Sequence, residues 1–447
     1  MTVPARLSDA DARLVLDAMG VLEANWLGHA TRPSPNLYPH QWSWDAAFIA
    51  MGYAHYHQER AEQELSSLFR GQWSNGLLPH IVFTDGDHAY FPGPEFWQTE
   101  RNPYAPRYPR TSGIVQPPVH ATAAFHIYRR ATDRDRARRF LGELLPKLSA
   151  WHFYLKRERI RNDDGLVEIW HPWESGMDNS PLWDEALGRL VPEGVRDWVR
   201  ADLEHAKEDE RPTEDHYDRY IHLVKLFRQH HYHPEPISRT TPFAIADVLY
   251  NSLWVQANRD LAEIARLFDA DPTSFERWAD ETAAGMRRRL WDEGMACFVD
   301  YDLLEDAPIA TRVGAGFSPL FAGVPTREQA DRMVEHLVAS VGGRLDATTW
   351  MVPSVDPTEA NFLPTNYWRG PIWVNVNWVL YRGLRRYGFD DLATSLRRSL
   401  IDLPRRSGFH EHYDPITGTG HGASRFAWTA ALIVDLLFEP DPETEGP

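Results

Sequence analysis

Five stretches of this chain are apolar or small on nearly every helical face. They are W-D-A-A-F-I-A-M-G-Y from Trp44, V-H-A-T-A-A-F-H-I-Y after Pro118, F-A-I-A-D-V-L-Y-N-S-L-W from Phe243, I-W-V-N-V-N-W-V-L-Y after Pro371, and F-A-W-T-A-A-L-I-V from Phe426. A helix with no polar side has no surface to offer water, so each must be buried on all sides. Amphipathic stretches follow most of them at once, at 58–70, 133–156, 274–291 and 390–403. Their charged faces must meet solvent. A buried helix followed by an amphipathic one, repeated along the chain, implies an inner ring inside an outer ring.

The full periodic reading predicts helices near 9–25, 45–56, 58–70, 119–131, 133–156, 242–268, 274–291, 327–341, 372–387, 390–403 and 424–438, with a weaker one at 213–229. Ser8 is placed to cap the first. Eleven or twelve helices suit six pairs, so the expected fold is all-α, an (α/α)6 barrel. One catalytic domain is expected over 1–438, with long loop insertions near 71–118 and 162–241. The acidic, proline-rich tail 439–447 is expected to be disordered. Insertions of that size in a compact protein are usually functional.

Composition removes several classes of function. The 47 basic residues against 64 acidic ones give a formal net charge of −17, which disfavours nucleic acid and anionic membrane surfaces. No apolar run reaches the ~18 residues of a membrane span, and Met1–Arg13 lacks the order of a signal peptide. Cys297 is the one cysteine, so a reducing cytoplasm is expected. Aromatic residues form 12% of the chain, with 18 Trp among them. They suit a large core, a pocket that stacks on sugar rings, or an interface between copies of the chain, so a homo-oligomer is compatible with them.

Four segments concentrate polar residues among these rings. In P-H-Q-W-S-W-D (39–45), Asp45 falls at a helix start, where a carboxylate is favoured as a cap, while Trp42 and Trp44 beside it suit a sugar face. In H-P-W-E-S-G-M-D-N-S-P (171–181), Asp178 and Asn179 suit a turn, but His171, Trp173 and Glu174 are left unexplained by one. P-T-N-Y-W-R-G-P-I-W (364–373) runs into Asn375 and Asn377 on a buried helix, which need polar partners. F-H-E-H-Y-D-P-I-T-G (409–418) sets Glu411 between two histidines ahead of a turn. His410, His412 and His421 make only a weak metal set, as do His230, His231 and His233, so no metal and no cofactor is expected. No nucleophile elbow occurs. Paired carboxylates in aromatic loops are what hydrolysis of a glycosidic bond requires, one to protonate the leaving oxygen and one to act on water or carbon.

In Q-W-S-W-D (41–45), E-S-G-M-D-N-S-P (174–181), Y-W-R-G-P-I-W (367–373) and H-E-H-Y-D-P-I-T-G (410–418) the chain resembles glycoside hydrolase family 63, more closely its bacterial mannosylglycerate and glucosylglycerate hydrolase group. The resemblance implies an (α/α)6 barrel and an inverting mechanism without a metal. It implies Asp178 as general acid and Glu411 as general base, about 6.5–9.5 Å apart to admit one water. It sets Asp45, Trp42, Tyr367, Trp368, Gly370 and Trp373 at the sugar. It sets Arg211 and Tyr217, in R-P-T-E-D-H-Y, at the glycerate carboxylate, with Tyr38, Tyr90 and Gln116 in loops able to complete that subsite. The substrate implied is a small glycoside, α-mannosyl- or α-glucosylglycerate. A trehalase-like α-glucosidase, a sugar epimerase on the same barrel, and a carbohydrate-binding protein without turnover are the competing readings.

Overall fold

The computed structural model describes residues 7–85, 90–192, 196, 198–200, 202–204, 207–341 and 351–439. The expected disordered tail lies outside the described residues except for Glu439. Twelve helices of ten residues or more are described: α1 (Asp9–Asn25), α2 (Ser43–Tyr53), α3 (Gln58–Leu68), α4 (His120–Arg130), α5 (Arg134–Glu158), α6 (Glu214–Gln229), α7 (Val248–Leu267), α8 (Thr273–Arg289), α9 (Arg327–His336), α10 (Val374–Arg386), α11 (Asp390–Ser407) and α12 (Ala427–Phe438). No described helix is long and apolar enough to cross a membrane.

The inner ring closes. Packing runs from α2 to α4, to α7, to a tight 3-10 segment at Gly314–Leu320, to α10, to α12 and back to α2. Every residue of α2 is buried, as is Ala427–Leu437 of α12, which is what their all-round apolar sequence requires. These two helices cross so closely that a Cβ on Gly52 would stand 2.5 Å from the Ala431 Cα. The amphipathic helices form the outer layer: α1 packs on α12, α3 on α2, α5 on α4, α8 on α7 and α11 on α10. His336 of α9 stacks on Phe317 of the 3-10 segment. The fold is thus an (α/α)6 barrel.

One ring member differs from expectation. The weak periodicity at 213–229 does form a helix, α6, but it belongs to the long insertion and to neither ring. The sixth inner element is Gly314–Leu320, G-A-G-F-S-P-L, which has no helical period. Gly314 and Gly316 let it press on other backbone, since a Cβ would come within 2.5 Å of the Pro353 carbonyl oxygen and 2.6 Å of that of Phe298.

The inner helices begin at one end of the barrel, and the insertions gather there. Strand Ile81–Val82, from the first insertion, pairs antiparallel with Gln41–Trp42 and fixes the entry to α2. Strand His410–Tyr413 pairs with Gly420–Ser424 just before α12. A backbone bridge joins Ile372, ahead of α10, to Tyr413. Loop residues at the mouth of this ring are therefore held by short sheet contacts rather than left loose.

Candidate active site

At that mouth lies a pocket with about 830 Å3 of empty space, its opening to solvent included. Fourteen of the sixteen residues singled out in the sequence line it: Tyr38, Trp42, Trp44, Asp45, Tyr90, Gln116, Trp173, Asp178, Arg211, Tyr217, Tyr367, Trp368, Trp373 and Glu411. Glu174 and Gly370 do not.

Glu174 is a structural anchor instead. It is fully buried and takes two hydrogen bonds from Arg159, Nη1 to Oε2 at 2.7 Å and Nη2 to Oε1 at 2.6 Å. It also accepts from the backbone N–H of Trp170 at 2.7 Å and of Val115 at 3.3 Å. The pair ties the 171–181 segment to the end of α5 and to the loop before α4. Gly370 is required for space: a Cβ would meet the Leu363 carbonyl oxygen at 2.4 Å. Its N–H donates to Ser354 Oγ.

Asp178 follows a turn that only glycine can make. Gly176 has φ +75°, and a Cβ there would strike the Trp44 ring at 2.5 Å. The Asp178 carbonyl accepts from Tyr220 Oη at 2.8 Å. Asn179 holds the facing loop, donating to Asn366 at 2.9 Å and accepting from the Trp368 N–H at 3.0 Å. The Asp178 carboxyl is reachable from the pocket yet walled by protein on most sides. Burial pushes its pKa up to about 7 against the pull of Arg211, and the charge of Glu411 adds to the rise.

Glu411 is buried and differently supplied. Its Oε1 accepts from Tyr38 Oη at 2.7 Å, and its Oε2 accepts from the Ala423 N–H at 3.0 Å. Burial raises its pKa, while Arg211, the Ala423 N–H and the Tyr38 hydroxyl draw it back. Gly422 (φ +66°) backs the carboxylate so closely that a Cβ would lie 2.5 Å from Oε2. With its own proton on Glu411, the Tyr38 hydroxyl accepts from Arg211 Nη1 at 2.8 Å and from Tyr367 at 2.9 Å.

Arg211 lies on the Tyr367 ring, 4.3 Å from its centroid. Its Nε donates to Asp202 Oδ2 at 3.0 Å, and Arg200 grips the same carboxylate at 2.6 and 2.9 Å. Burial opposes the charge of Asp202, but these arginines hold its pKa down to about 2. Asp202 lines the pocket and was missed in the sequence, where it is one acid in a run of acids.

The walls are aromatic. Trp368 and Trp373 stack at 3.7 Å with 3° between their planes. Tyr38 and Tyr90 meet Trp42 edge-on at 5.2 and 5.3 Å. Gln116 Oε1 accepts from the Trp44 N–H at the start of α2, which has no side-chain cap of its own. Asp45 is therefore not the cap. It sits in the first turn, its pKa raised well above the ordinary range by burial and by Glu411. His80, Phe91, Phe426 and Trp428 add wall that the motifs did not mark.

Several other sequence candidates have structural partners, but the buried Asn375 side chain has no hydrogen-bond partner among the described residues. Asn377 exchanges hydrogen bonds with the Val352 backbone at 2.9 and 2.8 Å, which is core satisfaction. His171 caps the short helix Pro172–Ser175 through Trp173 N–H. His421 is bonded to Glu210 at 2.9 Å. Within 409–418 itself, His412 is buried with neither ring nitrogen hydrogen-bonded to a described residue.

A carboxyl held protonated near neutrality and a second held by donors in the same ring-walled pocket can act on the two faces of an acetal, which is the chemistry of a glycoside hydrolase. Comparison with known proteins narrows that class. The mannosylglycerate hydrolase MGH1-like glycoside hydrolase domain matches residues 38–429, and the chain belongs to that family, within glycoside hydrolase family 63. A mannosylglycerate hydrolase of Rubrobacter radiotolerans is 46% identical over 95% of this chain and 97% of its own. A glucosylglycerate hydrolase of Mycolicibacterium hassiacum is 36% identical over 97% of this chain and all of its own. The crystal structure of a Thermus thermophilus mannosylglycerate hydrolase with Tris and D-glycerate superposes with TM-score 0.88 at 44% identity, covering 94% of this chain and 99% of that one.

Proposed function

We propose that this glycoside hydrolase cleaves the α-glycosidic bond between a hexose and D-glycerate, in mannosylglycerate, glucosylglycerate or both, with inversion at the anomeric carbon. Asp178 gives its proton to the bridging oxygen as the bond from C1 to that oxygen breaks. Glu411 takes a proton from the water whose oxygen bonds to C1 on the opposite face. The products are the hexose, of inverted configuration, and D-glycerate. Asp178 is left ionised and Glu411 protonated, and exchange with solvent resets both. Residues 1–438 act as one catalytic unit, and the lone, buried Cys297 fits the reducing cytoplasm.

The observation that carries this reading is the contrast between the carboxyls. Asp178 has no side-chain donor among the described residues and a pKa near 7, as an acid working at neutral pH needs. Glu411 has a cation, a backbone amide and tyrosine hydroxyls beside it that favour its ionised form. The glycerate half follows from Arg211, a buried cation facing the pocket of a chain with net charge −17. A guanidinium suits a short carboxylate, and the names of the relatives agree with that substrate.

A panel of mannosylglycerate, glucosylglycerate and trehalose, with NMR detection of the first anomer released, tests this. Hexose should come from one or both glycerates, first as the β anomer, with trehalose left intact. Comparable turnover of trehalose would give the trehalase-like reading instead, and an α anomer would exclude inversion.

A further inference from the structure

The inner ring has a second mouth. The catalytic pocket sits where α2, α4, α10 and α12 begin, and the opposite ends of the helices enclose another cavity. The C-terminal parts of α4 and α10, with residues of α7, line about 1100 Å3 of empty space, its opening included. Arg129 and Arg130 reach it from the last turn of α4, and Arg382 and Arg386 from α10. The carboxylates in its lining are Asp260 and Glu439. Four cations against two anions leave a surplus of two positive charges, on a chain whose formal charge is −17.

Both carboxylates are already engaged. Glu439 accepts from Arg130 and, at 2.7 Å, from Arg382. Asp260 accepts from two neutral donors, Thr122 Oγ1 at 2.6 Å and Gln256 Nε2 at 3.0 Å. Arg386 donates to the Gln256 side-chain oxygen at 2.8 Å. Arg129 is exposed, lies over the Phe125 ring at 5.8 Å, and has no carboxylate partner among the described residues. Burial and the nearby Arg259 lower the pKa of Arg386, against the pull of Asp260.

Cations at helix C-termini also offset the helix dipole, which amounts to about half a charge at each end. Arg385 shows what that looks like: it pairs with Asp390 at 3.0 Å. It does not account for four guanidinium groups gathered on one cavity with two of them, Arg129 and Arg386, in no ion pair among the described residues. Phe321 and Trp378 supply apolar wall beside them.

We propose that this rear cavity is a binding site for a small organic phosphomonoester, its dianion on Arg129 and Arg386 and its organic part against Phe321 and Trp378. A phosphomonoester carries about −1.5 to −2 charges at pH 7, matching the surplus, and planar guanidinium forks suit its oxygens.

Calorimetry with inorganic phosphate, glucose 6-phosphate and succinate, in about 0.15 M chloride to screen diffuse attraction, tests the site. Glucose 6-phosphate should bind saturably and more tightly than either of the other two. Affinity should fall at least about tenfold in R129Q and further in R129Q/R386Q, as expected for loss of charge-assisted bonds. It should be unchanged in R211Q, which alters the catalytic pocket. R129Q removes no described hydrogen bond, so its fold is secure. No saturable binding up to about 10 mM would overturn the proposal. So would binding that is lost in R211Q and kept in R129Q, or succinate binding as tightly as the ester.

Discussion

Tyr38 donates its hydroxyl proton to Glu411 across 2.7 Å while its oxygen accepts from Arg211 at 2.8 Å. One phenol thus links the proposed base to the proposed anchor of the glycerate. The link lowers the pKa of Glu411, because it stabilises the carboxylate. In Tyr38→Phe that pKa rises, and a base must be ionised to work. The acid limb of the kcat/KM profile should therefore move to higher pH, with kcat down by roughly tenfold, the scale of one lost hydrogen bond to a charge. An unmoved acid limb would separate Tyr38 from the base.

Asp178→Asn and Glu411→Gln should each lower kcat by about 10²–10⁴, the usual contribution of a positioned proton donor or acceptor. Circular dichroism should remain that of the parent. Near-parental turnover in either variant would remove that residue from the chemistry.

Arg211 lowers the pKa of both carboxyls. Its removal in Arg211→Gln raises both, so the whole bell of kcat/KM against pH should slide to higher pH. KM for a glycerate-bearing substrate should rise about 10–100-fold, from the loss of a charge-assisted contact, and an aryl glycoside should lose far less. Equal losses on the two substrates would refute a glycerate contact.

Burial raises the Asp178 pKa from an ordinary 3.8 to about 7, so ionising it costs the folded state and not the unfolded one. The cost is absent below the ordinary value, grows as pH rises towards 7, and is complete above it. Asp178→Asn should therefore stabilise the protein at pH 8 by roughly 1–3 kcal/mol and have little effect at pH 4. Melting temperatures of the two proteins at both pH values decide it.

The Arg159–Glu174 pair predicts the opposite sign. Glu174→Ala strands a buried guanidinium, a change that costs about 3–5 kcal/mol. Urea unfolding should show that loss, whereas KM should move only as far as the 171–181 segment is displaced.

The barrel was legible because buried helices must be apolar all round, and α2, α10 and α12 wear that pattern openly. The sixth inner element was not, since Gly314–Leu320 packs through backbone contact and shows no side-chain period. The helix that made up the expected number, α6, proved to be part of an insertion. At the site, motifs rich in rings and carboxylates located the pocket but not the direction each side chain takes. Glu174 shares a segment with Asp178, yet its partner Arg159 lies fifteen residues earlier in an ordinary charged helix end. Asp202 carried no motif at all.

The closure of α2 against α12 also bears on synthesis. Asp45 and Trp42 leave the ribosome before the helix that covers α2, which follows every other described helix of the rings. For most of its production the nascent chain holds an apolar helix with one flank bare, the condition under which partly made proteins aggregate or are held by chaperones. The catalytic pocket, lined by Phe426 and Trp428, cannot close in an intermediate that lacks α12. A cell making this enzyme gains no partial activity from a chain stalled or truncated before α12.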